Sequence, residues 1–200
     1  MNPRSPNHAL ILGTFCLGFA ILLALTNLLT ADAIAARALE DRLASLAQVI
    51  PASLYDNNPV ADAFIIKDPQ GKETLVYRAT RGGRVAALAY ETAGSGYSGE
   101  IRLMLGVDPQ GRLLGVRVTS HKETPGLGDK IEEKKGDWIL RFAGLSLGEP
   151  AIEKWKVKKD GGQFDSFAGA TITPRAVVGA VRRGLEFFAI HRERMLEKQP

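Results

Sequence analysis

Residues 9 to 29 form an uninterrupted stretch of 21 residues without a charged side chain, relieved only by Gly13, Thr14, Gly18, Thr26 and Asn27. A bilayer core is crossed by about 20 residues of helix, and lipid offers the backbone no hydrogen-bond partner, so a run of this kind is compelled to be helical. A cleaved secretory signal is the rival reading, since Ala31-Asp32-Ala33 has the small-x-small form of a cleavage site. The run is longer than the roughly 7 to 15 apolar residues of a signal's hydrophobic segment, which favours an uncleaved anchor. Arg4 and His8 precede the span and Asp32 follows it, an asymmetry that places the N-terminus inside; Arg37 and Arg42 on the far side weaken it.

With that segment set aside, about 150 residues remain, enough for one domain with its own core. Lys and Arg number 26 against 22 Asp and Glu, a net charge of +4 spread along the chain, and this gives no case for a nucleic-acid partner. Arg182, Arg183, Arg192, Arg194 and Lys198 thicken the positive charge near the end, as a solvated helix face or a contact for acidic lipid or an acidic partner. Cys16 is the single cysteine and lies in the apolar run, so the remainder can form no internal disulfide and holds no Cys/His metal set. His8, His121 and His191 are too scattered to suggest zinc.

The patterning gives three parts: a tail and transmembrane helix over 1–30, a connecting helix and linker over 31–60, and a domain over 61–200. Leu39, Leu43 and Leu46 recur at helical spacing in a stretch without Gly or Pro, so the helix is expected to continue from the membrane to about Ile50. Pro51 and Asn57-Asn58-Pro59 interrupt it. The tetrapeptide Asp-Pro-Gln-Gly then occurs at 68–71 and again at 108–111, each between Ile/Leu/Val-rich runs, and suits the turn of a hairpin. Val85 to Tyr90 and Ile101 to Val107 read as further strands. The intervening Gly94-Ser95-Gly96-Tyr97-Ser98-Gly99 matches a dinucleotide-binding glycine pattern, but no helix follows it, and a connection between strands is the better account. Asp129 to Phe142 reads as a charged helix with Ile131, Trp138, Ile139 and Phe142 facing the core, and Trp155 to Phe164 as a last hairpin around Asp160-Gly161-Gly162. A terminal helix from Pro174 to about Arg194 presents Val177, Val181, Leu185 and Phe188 along one face. Strands first and a helix packed back on them give an α+β domain of antiparallel hairpins and helices.

The chemistry concentrates in Asp165-Ser166-Phe167-Ala168-Gly169-Ala170-Thr171, followed by Ile172-Thr173-Pro174. Thr173 suits a helix N-cap and Pro174 the first helical position. The first-turn amides and the positive end of the helix dipole then favour a phosphate beside Gly169, Ala170 and Thr171. On spacing alone this is also simply a capped helix after a small-residue loop.

The same residues resemble the flavinylation motif of the covalent-FMN subunits of membrane electron-transport complexes. Where that family usually has Ser or Thr before the Gly, this chain has Ala168. The resemblance implies that Thr171 carries FMN through a phosphoester made by a dedicated flavin transferase, with Asp165 part of the recognised motif. His121-Lys122-Glu123-Thr124-Pro125-Gly126-Leu127-Gly128 is similar to the family's flavin-facing loop, and Gly96-Tyr97-Ser98-Gly99 resembles another of its loops. In this order and with an N-terminal span, the segments resemble the G subunits of the Rnf (Rsx) complex. That likeness implies a relay coupling ferredoxin and NAD oxidoreduction to ion movement, alongside other membrane and redox subunits. It also implies a single pass through the bacterial inner membrane with the domain on the periplasmic side. Thr171 would anchor the FMN, Gly169, Ala170 and Thr173 would shape the phosphate surroundings, and Thr124, Leu127 and Gly128 would line the ring. No substrate-turnover site is expected. The C subunit of a sodium-translocating NADH:quinone reductase and a membrane-anchored scaffold without a redox group are the alternatives.

Overall fold

A computed structural model describes residues 5–68, 71 and 73–197; Arg4, Pro69, Gln70 and Lys198, named above from the sequence, lie outside the described residues. The chain divides into two units, one ending at Asp41 and the other beginning at Arg42. Helix α1 runs over Ser5–Ala47 without a break, as the helical pattern beyond the apolar run predicts. Its stretch from His8 to Ala47 is long and apolar enough to cross a membrane. Thr14, Thr26 and Thr30 turn their hydroxyls back onto carbonyls four residues earlier, which satisfies these donors within the helix itself.

The second unit is built on five antiparallel strands, β1 (Ala63–Lys67), β2 (Glu73–Arg81), β3 (Arg84–Ser95), β4 (Glu100–Val107) and β5 (Leu113–Ser120), in the order β1-β2-β3-β4-β5. Every neighbour in the sheet is a neighbour in sequence, so the expected hairpins are present. The second Asp-Pro-Gln-Gly copy shows why it turns. Asp108 accepts from the Gly111 amide through its carbonyl, and its carboxylate accepts from the amides of Gln110 and Arg112.

One sheet face carries the main core, where Ile66, Val76, Leu88, Tyr90, Leu103 and Leu105 meet helix α2 (Ile172–Leu196) through Val177, Val181, Leu185 and Phe188. The Tyr90 hydroxyl donates to the Gly184 carbonyl at 2.8 Å, joining β3 to α2 inside that core. Ala79, Ala87 and Ala89 keep the opposite face shallow, and Leu46, Val49 and Ile50 pack onto it. Arg183 and Arg192 of α2 donate to the carbonyls of Ala93 and Pro109, so part of the C-terminal basic cluster ties the helix to the sheet.

Two expectations fail. Asp129 to Phe142 is a series of short 3₁₀ turns, Asp129–Ile131, Glu133–Lys135 and Trp138–Phe142, in place of one helix. Glu132 and Gly136 are extended between them, and Ile131, Trp138, Ile139 and Phe142 are nonetheless the buried anchors. A glycine inside a helix costs about 1 kcal/mol relative to alanine, and the charged stretch around Gly136 buries nothing to offset it. Trp155 to Phe164 likewise contains no hairpin: it follows a 3₁₀ turn at Ile152–Lys154 and holds only a second turn at Lys158–Asp160 and one parallel bridge between Val157 and Phe164. Trp155, Val157 and Phe164 all drop into one aromatic cluster with Phe142, while Lys158 leaves the strand direction to reach Asp165.

Candidate functional site

Three loops converge at one end of the sheet: the β3–β4 connection, the segment following β5, and the approach to α2. They enclose a cleft of about 430 Å³ lined by Thr124, Leu127, Gly128, Gly169, Ala170, Thr171 and Thr173, together with Tyr97, Glu123, Lys159 and Ile172. All seven residues singled out in the sequence therefore face one space.

The wall around Thr171 is pinned from several directions. Asp165 pairs with Lys158 at 2.6 Å and Arg141 at 3.0 Å, and its carbonyl accepts from the Trp138 indole. The Lys158 hydrogen bond, with the charges of Lys158 and Arg141, holds the Asp165 carboxyl below the usual carboxylate range. On the other side Arg175 grips Asp160 with two hydrogen bonds of 2.6 and 2.8 Å, joining α2 to the turn at Lys158–Asp160. Lys159, between those two anchors, donates from Nζ to Thr171 Oγ1 at 2.9 Å. Gly169 stands at φ 79, a left-handed conformation that favours glycine, and turns the chain toward Thr171.

The helix start differs from the expected cap. Helix α2 begins at Ile172, so Thr171 occupies the N-cap place and makes no side-chain cap bond. Thr173 sits inside the first turn, fully buried, and its hydroxyl donates to Glu123 Oε2 instead of accepting from a backbone amide. Pro174 is consequently the third helical residue, still within the turn where a missing N–H costs nothing. The positive end of a 25-residue helix thus opens beside the Thr171 hydroxyl and the Lys159 ammonium.

In the same cleft, Glu123 is only 5% exposed and accepts from the amides of Ser98 at 2.9 Å and Tyr97 at 3.3 Å as well as from Thr173. Its own amide donates to His121 Nδ1, which leaves His121 Nε2 to donate to Glu132 at 2.9 Å. A Cβ on Gly128 would lie 2.9 Å from both Glu123 Cβ and Thr173 Oγ1, so only glycine lets this loop close on the carboxylate. Burial pushes the Glu123 carboxyl up, but the hydrogen bonds from Thr173, Ser98 and Tyr97 outweigh it and hold the group below its ordinary value. A depressed folded value means that the stabilisation is present above the unfolded glutamate value of about 4.3 and is lost as pH falls through the folded one. The difference in melting temperature between the protein and Glu123→Gln is therefore expected to stay constant from pH 8 down to about 5 and to shrink below about 4. A difference that grew on acidification would contradict the assignment.

Leu127 is 44% exposed and Tyr97 73% exposed at the mouth, leaving flat apolar surface open to a ring. The donor set fits FMN: an ammonium and a helix N-terminus for a phosphate, a hydroxyl able to bear it, and apolar side chains for an isoalloxazine. Residue pattern does not select Tyr97, Glu123, Lys159 or Ile172. Tyr97 and Glu123 stand inside segments already marked by their glycines, whereas nothing in the basic run from Lys154 to Lys159 gives its distance to Thr171.

Comparison with known proteins gives the family. The FMN-binding domain family matches residues 96–186, and the RnfG N-terminal region matches residues 1–49. The G subunit of the ion-translocating oxidoreductase complex of Cereibacter sphaeroides is 54% identical over 191 residues, covering 96% of this chain and 87% of its own length. The chain belongs to the family of these G subunits. Its relatives in Stutzerimonas stutzeri and Pseudomonas aeruginosa are 53% and 47% identical, covering 93% and 94% of this chain and 82% and 91% of their own lengths. Among solved structures, the C subunit of the Na(+)-translocating NADH-quinone reductase from Parabacteroides distasonis shares the fold at a TM-score of 0.53 and 18% identity, over 81% of this chain and 94% of that one. NqrC from Shewanella oneidensis does so at 0.50 and 22%, over 76% and 73%. The chain thus shares its α+β fold with those two proteins.

Proposed function

We propose that this chain is the electron-transfer subunit of a membrane-bound ion-translocating oxidoreductase complex, and that it carries FMN as a phosphoester on Thr171. One observation carries the site assignment: the Thr171 hydroxyl lies in the cleft, 2.9 Å from the Lys159 ammonium and at the positive end of α2. The FMN-binding match and the relatives' shared name support the redox role.

FMN supplies the redox chemistry when bound. The chain's own residues hold it. Lys159 and the first turn of α2 would meet the phosphate charge, Gly169 and Ala170 would leave the approach open, and Thr124, Leu127, Gly128 and Tyr97, which line the cleft, would hold the ring. Attachment through Thr171 removes occupancy from mass action, which matters where free flavin is dilute. In this reading a flavin transferase loads the site, α1 spans the inner membrane once with the domain on the periplasmic side, and neighbouring subunits supply and remove electrons in a ferredoxin- and NAD-linked complex. The chain turns over no substrate of its own.

The intact mass of the full-length protein, made in cells that also produce the flavin transferase, tests the proposal. The expected mass exceeds that of the polypeptide by one esterified FMN, and the denatured, washed band fluoresces under ultraviolet light. An unmodified mass would overturn the phosphoester on Thr171.

A further inference from the structure

Glu123 brings together segments far apart in sequence. Its carboxylate receives the Tyr97 and Ser98 amides from the β3–β4 loop and the Thr173 hydroxyl from the first turn of α2, while Glu123 itself belongs to the segment after β5. Two glycines make room for it, since a Cβ on Gly96 would meet Glu123 Oε1 at 2.5 Å and one on Gly128 would meet Glu123 Cβ at 2.9 Å. The side chain lines the same cleft as Thr171, yet its hydrogen-bond donors are neutral amides and a hydroxyl. Neutral donors stabilise an ionised carboxylate without cancelling its charge, and at a side chain only 5% exposed that charge is screened less than it would be in water.

We propose that Glu123 is a positioning residue that also acts electrostatically. It locks the Tyr97–Ser98 loop and the start of α2 into one cleft, and its fixed negative charge lowers the potential of the flavin held there. This rests on the flavin reading of Thr171. Reduction adds electrons to whatever occupies the cleft, so a carboxylate built into the wall opposes it. The electrons themselves come from and leave to neighbouring redox subunits, and Glu123 gains and loses nothing.

The test uses the full-length flavinylated protein in detergent, with Glu123→Gln and Glu123→Asp beside the parent. Spectroelectrochemical titration reads the midpoint potential, hydrogen exchange reads the Tyr97 and Ser98 amides, and intact mass reads flavin content. Glu123→Gln is expected to shift the oxidised-to-reduced ratio at a fixed potential at least tenfold toward the reduced form, a rise of 29.6 mV for a two-electron couple. Its Ser98 amide exchanges faster. Glu123→Asp keeps the charge but shortens the reach, so its potential stays within threefold of the parent in the same ratio while the Ser98 amide again loses protection. A loaded Glu123→Gln protein with the parent's potential would overturn the electrostatic effect, and unchanged exchange in both variants would overturn the positioning. If Glu123→Gln does not load, a Glu123→Asp potential raised as far as tenfold overturns the proposal by itself. A parent protein without flavin would instead overturn the Thr171 reading, a result distinguishable by mass alone.

Discussion

Thr171→Ala is expected to remove covalent flavin completely: no in-gel fluorescence, and an intact mass equal to that of the polypeptide. The variant should remain folded, which gives the result its force. A helix normally loses about 0.5–2 kcal/mol when an N-cap Thr becomes Ala, because the side chain accepts a first-turn amide. Here Thr171 makes no such bond, and the hydrogen bond its side chain loses is the one from Lys159, at the protein surface. The stability change is therefore expected within about 0.5 kcal/mol, as for ordinary surface substitutions. Unchanged thermal unfolding with total loss of fluorescence assigns the attachment to this oxygen. Fluorescence that survives denaturation and washing in the variant would place the flavin elsewhere.

Trp155→Ala is expected to be the most damaging single truncation in the domain, costing about 3–5 kcal/mol. Trp155 is 1% exposed, packs against Phe164 at 5.2 Å and Phe142 at 6.3 Å, and its indole nitrogen lies 3.2 Å from the Pro150 carbonyl and 3.3 Å from that of Ser146. Removing the ring leaves a cavity and takes the indole donor from the Pro150 carbonyl, while the Ser146 carbonyl keeps the Glu149 amide. In a domain of this size the melting temperature falls by about 2–4 °C per kcal/mol, so a drop of about 6–20 °C is expected in detergent solution by near-ultraviolet circular dichroism. The neighbouring Trp138 holds the Asp165 carbonyl and touches Phe167 edge-on at 5.2 Å, so the aromatic cluster also props the loop that leads to Thr171. A shift below about 2 °C would mean that this loop is supported by something else.

Much of this architecture is legible from residue pattern because its determinants are local. An uncharged run forces helix α1, Asp-Pro-Gln-Gly turns the β4–β5 hairpin, and the period of Val177, Val181, Leu185 and Phe188 gives α2 its buried face. The residues around Thr171 are marked by small side chains and a helix start, and they do gather at one cleft. What pattern misses depends on distant partners. The Asp129–Phe142 segment keeps its predicted anchors but not its predicted helix, because each anchor is drawn separately into the core. Thr173 looks like a cap from its neighbours, yet Glu123, 50 positions earlier, takes its hydroxyl. Lys159 reaches Thr171 only because Asp165 and Arg175 fix the turn on both sides of it.

The order of the strands has a bearing on when the protein can mature. A nascent chain extended only to Ser120 already contains all five strands in their final sequence of neighbours, but it holds neither Thr171 nor Lys159. The receptacle closes when α2, the last helix, docks across β3 and β4 and brings Thr173 to Glu123. On the proposed reading, a chain that ends at Ser120 offers no acceptor for flavin, and one that ends before Ile172 keeps Thr171 and Lys159 but lacks the helix start beside which the phosphate would rest.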